Sequence, residues 1–374
     1  MNAHRQPTSA RRPIPVRREA VKLAMAAMLI AFADPLAGAE PVVHAVTSIG
    51  LTVGDMDRSV AFYRDVLQFE CLSDGELSGE AAAAVTGLEK PRVRVVQMKL
   101  GDELLVLTQH DSPRGRPMPA DSRSNDLWFQ HVAIIVHDMD AAYSQLQRFQ
   151  VRHASPAPQR LPDWNPAAGG IEAFYFRDPD GHFLEILHVP PGRGNPKWQR
   201  PTTRLFLGID HTAIVVADTQ TSLRFYRDLL GMRVVGTSEN YGVEQERLNN
   251  VPGARLRITT LRAAEGPGVE LLEYLAPRDG RPRPVGTTVH DLMHWQTSVS
   301  VTSRDAAIAA LHRADPRARL SEAVPVTRST APRWRTLVRD PDGHAVELIE
   351  HLPDDPSAEP SGSRESGNPS VPSR

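Results

Sequence analysis

The chain has 374 residues, well beyond the ~150 of one typical domain, and its 40% hydrophobic and 24% charged content marks a folded rather than a disordered protein. Its 43 Lys plus Arg against 45 Asp plus Glu leave a net charge of −2, with no basic surplus to neutralise the phosphates of a nucleic acid. The single cysteine, Cys71, excludes an intramolecular disulfide and a thiolate cage, so any metal must be held by nitrogen and oxygen donors.

Residues 1–39 read as an export signal. Arg11, Arg12, Arg17, Arg18 and Lys22 precede an apolar run from Leu23 to Ala33, and Ala37-Gly38-Ala39 offers small residues for cleavage before Glu40. The run is too short for the ~20 residues of a membrane-spanning helix, so no integral span is expected after signal removal. Arg17-Arg18 suits either an arginine-rich Sec signal or the twin-arginine route, although Val16 stands where the latter usually has Ser or Thr. Either route predicts a periplasmic or secreted protein.

From Pro41 the chain repeats itself. Phe62-Tyr63-Arg64-Asp65 returns as Phe225-Tyr226-Arg227-Asp228, and Asp178-Pro179-Asp180-Gly181-His182 as Asp340-Pro341-Asp342-Gly343-His344, at nearly equal offsets. Each half divides again. Short β-branched runs open at Ser48, His131, His211 and Gln296, each followed by a helix-compatible stretch and further strand-like runs, so every quarter reads as β-α-β-β-β. The Asp-Pro-Asp-Gly segments lack the spaced acidic pattern of a calcium loop and read as turns. Residues 191–204, beginning Pro191-Gly192-Arg193-Gly194-Asn195-Pro196, form the linker between a first domain at 44–190 and a second at 205–352; residues 353–374, rich in Ser, Pro and Gly, read as a disordered tail.

The two signatures together resemble the vicinal oxygen chelate (VOC) superfamily, which includes glyoxalase I, extradiol dioxygenases and bleomycin-resistance proteins. The resemblance implies an α+β fold, with four β-α-β-β-β modules forming two tandem, glyoxalase-like domains with cup-shaped mixed sheets. It also implies one divalent metal ion, Zn, Ni, Mn or Fe, held by residues on the first and fourth strands of each module. Those positions fall on Ser48 and Val106, His131 and Glu185, His211 and Glu270, and Gln296 and Glu347.

If each half is a cup, the front one retains only His131 and Glu185, a vestigial site that Glu103 could complete only through a strand shift. The back cup retains His211, Glu270, Gln296 and Glu347, and it is there that the metal is expected, with Glu270 or Glu347 as the catalytic base. His294, Tyr241, Arg255 and Arg257 are candidate substrate-binding residues. The expected function is a metal-dependent lyase or isomerase of glyoxalase type, acting on a small substrate chelated through adjacent oxygens. A ring-cleaving Fe(II) dioxygenase and a non-catalytic binding protein are the alternatives.

Overall fold

The computed structural model describes residues 42–78, 92–112, 114–314, 324–325 and 334–350; the expected leader and tail lie outside them. The first module comprises β1 (Val43–Thr52), α1 (Met56–Ala61), β2 (Glu70–Ser78), β3 (Arg92–Leu100) and β4 (Glu103–His110). The second comprises β5 (Gln130–Val136), α2 (Met139–Arg148), the short β6 (Arg152–His153) and β7 (Gln159–Arg160), β8 (Glu172–Arg177) and β9 (Phe183–His188). The third has β10 (Phe206–Val215), α3 (Thr219–Leu223), β11 (Arg233–Tyr241), an added helix α4 (Val243–Asn249), β12 (Arg255–Arg262) and β13 (Gly268–Ala276). The fourth has β14 (Trp295–Val301), α5 (Arg304–Ala314), β15 (Val324–Pro325), β16 (Trp334–Arg339) and β17 (Ala345–Glu350).

The helix that follows the first strand of each module starts where the sequence supplies a side-chain cap. Asp55, Asp138 and Asp218 accept the backbone N–H groups of Arg58, Ala141 and Thr221, and Ser303 does the same for Ala306. Beyond α1 and α3 the chain continues in wider π-helical turns, Phe62–Val66 and Arg224–Leu229, which carry the two Phe-Tyr-Arg-Asp copies. Their tyrosines explain the pairing of the two signatures. Tyr63 donates its hydroxyl to Asp178 at 3.1 Å, and Tyr226 donates to Asp340 at 3.1 Å. Asp178 in turn accepts the backbone N–H groups of Asp180, Gly181 and His182, which holds the turn shut around Gly181 at φ +100°. The signatures therefore bolt one module of each half to the other.

Sheet pairing departs from the halves read in the sequence. One sheet runs β15-β16-β17-β14-β1-β4-β3-β2 and the other β11-β12-β13-β10-β5-β9-β8-β6. The first module shares its sheet with the fourth, and the second with the third, through antiparallel first-strand pairs β1–β14 and β10–β5. What each half does share is a core. Ile49, Tyr63, Leu105, Ile134, Phe174 and Ile186 pack together between modules one and two, and Ile214, Tyr226, Leu271, Val299, Val338 and Leu348 between three and four. The divisions 44–190 and 205–352 thus describe units packed through their helix-covered faces, whereas each cup takes one module from each half.

The two bolts differ in charge. Buried His182 is raised above the ordinary imidazole value, since Asp178 outweighs the opposing effect of burial, and Asp178 is correspondingly lowered. In the other turn burial pushes Asp340 up to about 6, and burial with Arg283 and Arg339 nearby pushes His344 down to about 4. An acid raised in the folded state stabilises the fold most below its unfolded value and loses that contribution as pH rises through about 6. Asp340→Asn should therefore flatten the stability profile, gaining about 1–3 kcal/mol on the wild type between pH 5 and pH 8. Denaturant unfolding at the two pH values measures it. Asp178→Asn, which breaks a charged bolt, should lose stability throughout that range.

Candidate metal centre

Within the β11–β6 sheet, β5 and β10 lie side by side with Ala213 opposite His131 and His211 opposite Ala133. Parallel neighbours bring Glu270 beside Ala213 and Glu185 beside Ala133. Strand alternation then turns all four donors to the cup face, while the alanines keep its floor low.

His131 Nε2 lies 3.1 Å from Glu185 Oε2, and His211 Nε2 lies 3.8 Å from the same oxygen and 3.4 Å from Glu270 Oε2. Donor atoms of His131, Glu185 and His211 all fall within 4.8 Å of one another, and all three residues are buried. Glu270 stands at the edge of this group. Its side chain is 19% exposed against 6% for Glu185, and its second oxygen accepts the Thr260 hydroxyl at 2.7 Å.

Two features show that this arrangement fits a divalent cation. Both ring nitrogens of His131 are buried without a hydrogen-bond partner, despite the nearby Glu185 oxygen, a costly state unless a further group takes the lone pair. The ring is held instead by packing against Tyr175 and Phe129. Secondly, the site concentrates negative charge. Burial would lower the imidazole of His211, yet Glu270, Asp210 and Glu185 push it up to about 9. A metal would satisfy the same field. The ladder slips between Ile209 and His211, and Asp210 reaches His211 Nδ1 at 3.1 Å, which leaves Nε2 facing the carboxylates.

His211 and Glu270 stand in the site as expected, but Gln296 and Glu347 do not join them. They belong to the other sheet, whose equivalent positions are Ser48, Val106, Gln296 and Glu347, with Gly50 opposite Gln296 and Ser48 opposite Ser298. There Glu347 accepts Ser298 Oγ at 2.7 Å and Gln296 Nε2 at 3.2 Å, and pairs with the Arg335 guanidinium at 3.3 Å. Gln296 folds over Gly50, where a Cβ would stand 2.7 Å from its Cγ. A guanidinium supplies the positive charge in this cup, and Val106 removes one carboxylate position. Arg335→Leu should lower the melting temperature by leaving Glu347 uncompensated, and Glu347→Gln in that background should restore it; differential scanning calorimetry of the three proteins is the check.

His131 and Glu185, read as vestigial, are half of the donor set that the structure assembles. Their signal in the sequence was plain: only the second and third modules carry both a His and a Glu at the two ligand positions. Glu103 serves elsewhere, accepting the Ile209 N–H at 3.1 Å and pairing with Lys197.

The remaining candidates also lie apart. His294 is on the other sheet's side, 3.3 Å from Gln296 Oε1. Arg257 faces away from the cup to pair with Glu273 at 2.8 Å, Arg255 bonds Glu239 at 2.6 Å, and Tyr241 packs at a tilt against Trp164 with centroids 4.5 Å apart. None of these four lines the cavity of about 210 Å³ above the donor group. Its walls come from Leu161 and Leu187 of the second module and Leu248, Ile258 and Leu272 of the third. Thr260, Asp210 and Gln245 carried no motif, and only the register of β12, the slip in β10 and the placement of α4 bring them to the site.

The Glyoxalase/Bleomycin resistance protein/Dioxygenase superfamily matches the chain over residues 43–186 and 208–348. A 2-epi-5-epi-valiolone epimerase from Actinomyces sp is 28% identical over 167 residues, which cover 43% of this chain and 87% of that protein. Glyoxalase I from Zea mays superposes with a TM-score of 0.53 at 15% identity over 82% of this chain and 92% of its own. A putative dioxygenase from Bacillus subtilis subsp. subtilis str. 168 gives 0.51 at 13% identity, over 85% and 87%. Matched over both repeats, and with the module architecture those likenesses share, the chain belongs to the Glyoxalase/Bleomycin resistance protein/Dioxygenase superfamily.

Proposed function

We propose that the protein is an exported, metal-dependent isomerase, of epimerase or glyoxalase type, acting on a small molecule that chelates the metal through adjacent oxygens. The observation that carries this is the division of labour among four donors. Donor atoms of His131, Glu185 and His211 all lie within 4.8 Å of one another, whereas Glu270, 3.4 Å from His211 Nε2, joins them on one side only, with its other oxygen held by Thr260. The three would hold the ion, with Glu270 at its margin. When bound, the ion supplies Lewis acidity toward a carbonyl oxygen.

Glu270 is the proton carrier in this reading. Its carboxylate borders the cavity, and the Thr260 hydroxyl donates to Oε1 and so aims Oε2 inward. Returning the proton to the neighbouring carbon gives isomerisation, whereas epimerisation takes a proton from a donor on the opposite face of the same carbon. The relative of 28% identity bears the name of an epimerase, which supports that class. Export rests on the basic and apolar stretches of residues 1–39; among the described residues no helix is long and apolar enough to cross a membrane.

Metal-loaded protein incubated with α-hydroxy ketones in deuterium oxide should exchange the α-proton, read by loss of its NMR signal. Absence of exchange with every divalent metal tried would overturn the isomerase reading. The convergence of two histidines and one glutamate also favours a second reading, an Fe(II) dioxygenase. Oxygen uptake with catechols after anaerobic iron loading distinguishes it.

A further inference from the structure

The cavity's charge is unbalanced in an instructive way. Glu185 and Glu270 contribute two carboxylates, and among the described residues no Lys or Arg lines the wall. The three arginines of β12 are already committed: Arg255 to Glu239, Arg257 to Glu273, and Arg262 to Asp210 at 2.8 Å. A divalent ion would cancel the two carboxylates and leave nothing to hold an anionic substrate. At about 210 Å³ the cavity is also smaller than the ~300–1,000 Å³ usual for drug-sized ligands.

The polar part of the wall is neutral, made of Thr237, Ser238, Asn240, Gln245 and Thr260. Gln245 is the informative member. It lies on α4, is 3% exposed, and spends Nε2 on Asn249 Oδ1. Its Oε1 is buried without a hydrogen-bond partner. Rotating both amides exchanges donor for acceptor and leaves Gln245 with Nε2 unpaired instead. A buried amide oxygen at a cavity wall is costly unless a ligand group completes it.

We infer that the cavity takes an uncharged, compact, oxygen-rich molecule and that Gln245 binds one of its hydroxyl groups. This deepens the metal-dependent reading above and rests on it. The same walls argue against phosphorylated sugars and against tripeptide thiol conjugates, which bring carboxylates and a long chain.

The test uses the full chain loaded with Co(II), whose visible absorption reports ligands entering the site. The probes are 2,3-dihydroxycyclohexanone, whose third oxygen is free of the chelate, the same compound carrying a carboxylate on the ring carbon farthest from the ketone, and S-hexylglutathione. The neutral ketone should bind at least about tenfold tighter than its carboxylate derivative, and S-hexylglutathione should not bind. Gln245→Leu should weaken the neutral ketone about tenfold, and Gln245→Lys should raise affinity for the carboxylate. Cobalt uptake that fails would overturn the metal reading and this inference with it. Cobalt bound normally, with the carboxylate preferred or with Gln245→Leu unchanged, would overturn this inference alone.

Discussion

Glu347→Gln is expected to leave both metal content and turnover close to wild type, while His131→Ala loses at least ~100-fold in metal affinity and its activity with it. Glu347 is a buried carboxylate in a cup where Arg335, Ser298 and Gln296 already satisfy it. Neither ring nitrogen of His131 makes a hydrogen bond, and removing one of three converging donors should cost more than the 10–100-fold typical of losing an outer-shell partner. Elemental analysis of the purified variants, beside an assay of each, decides the matter. If Glu347→Gln were the variant that emptied the protein of metal, the chemistry would belong to the other sheet.

Glu270→Gln is expected to separate binding from chemistry. His131, Glu185 and His211 remain to hold the ion, so metal content should persist, but the carboxylate bordering the cavity is gone and kcat should fall by about 10²–10⁴. Thr260→Val, which removes the 2.7 Å hydrogen bond that orients Glu270, should give a smaller loss, about tenfold, borne by kcat rather than KM. Isotope exchange at the α-carbon gives the same ranking independently of product formation. A Glu270→Gln enzyme with full turnover would move the base elsewhere.

Most of the architecture was legible because it is written in local and periodic features. The Asp and Ser caps, the alternation along each first strand and the recurring turn residues specify a β-α-β-β-β unit without reference to its neighbours. The equivalence of ligand positions was legible for the same reason. Aligning the modules placed Ser48, Val106, His131, Glu185, His211, Glu270, Gln296 and Glu347 at corresponding positions of the two sheets, and the register bears this out.

Which modules share a sheet was not legible. An open first-strand edge offers the same N–H and C=O groups to any partner, and β1, β5, β10 and β14 all carry β-branched residues. The choice was made by side chains remote from the edges: the Tyr63–Asp178 and Tyr226–Asp340 bolts pack consecutive modules through their helical faces, which leaves their first strands on different sheets. The amino-acid order by itself determined what each module is and which of its residues can donate to a metal. Only the tertiary structure decided that His131 and Glu185 meet His211 and Glu270, because strand pairing is a long-range choice for which every candidate edge carries the same hydrogen-bonding pattern.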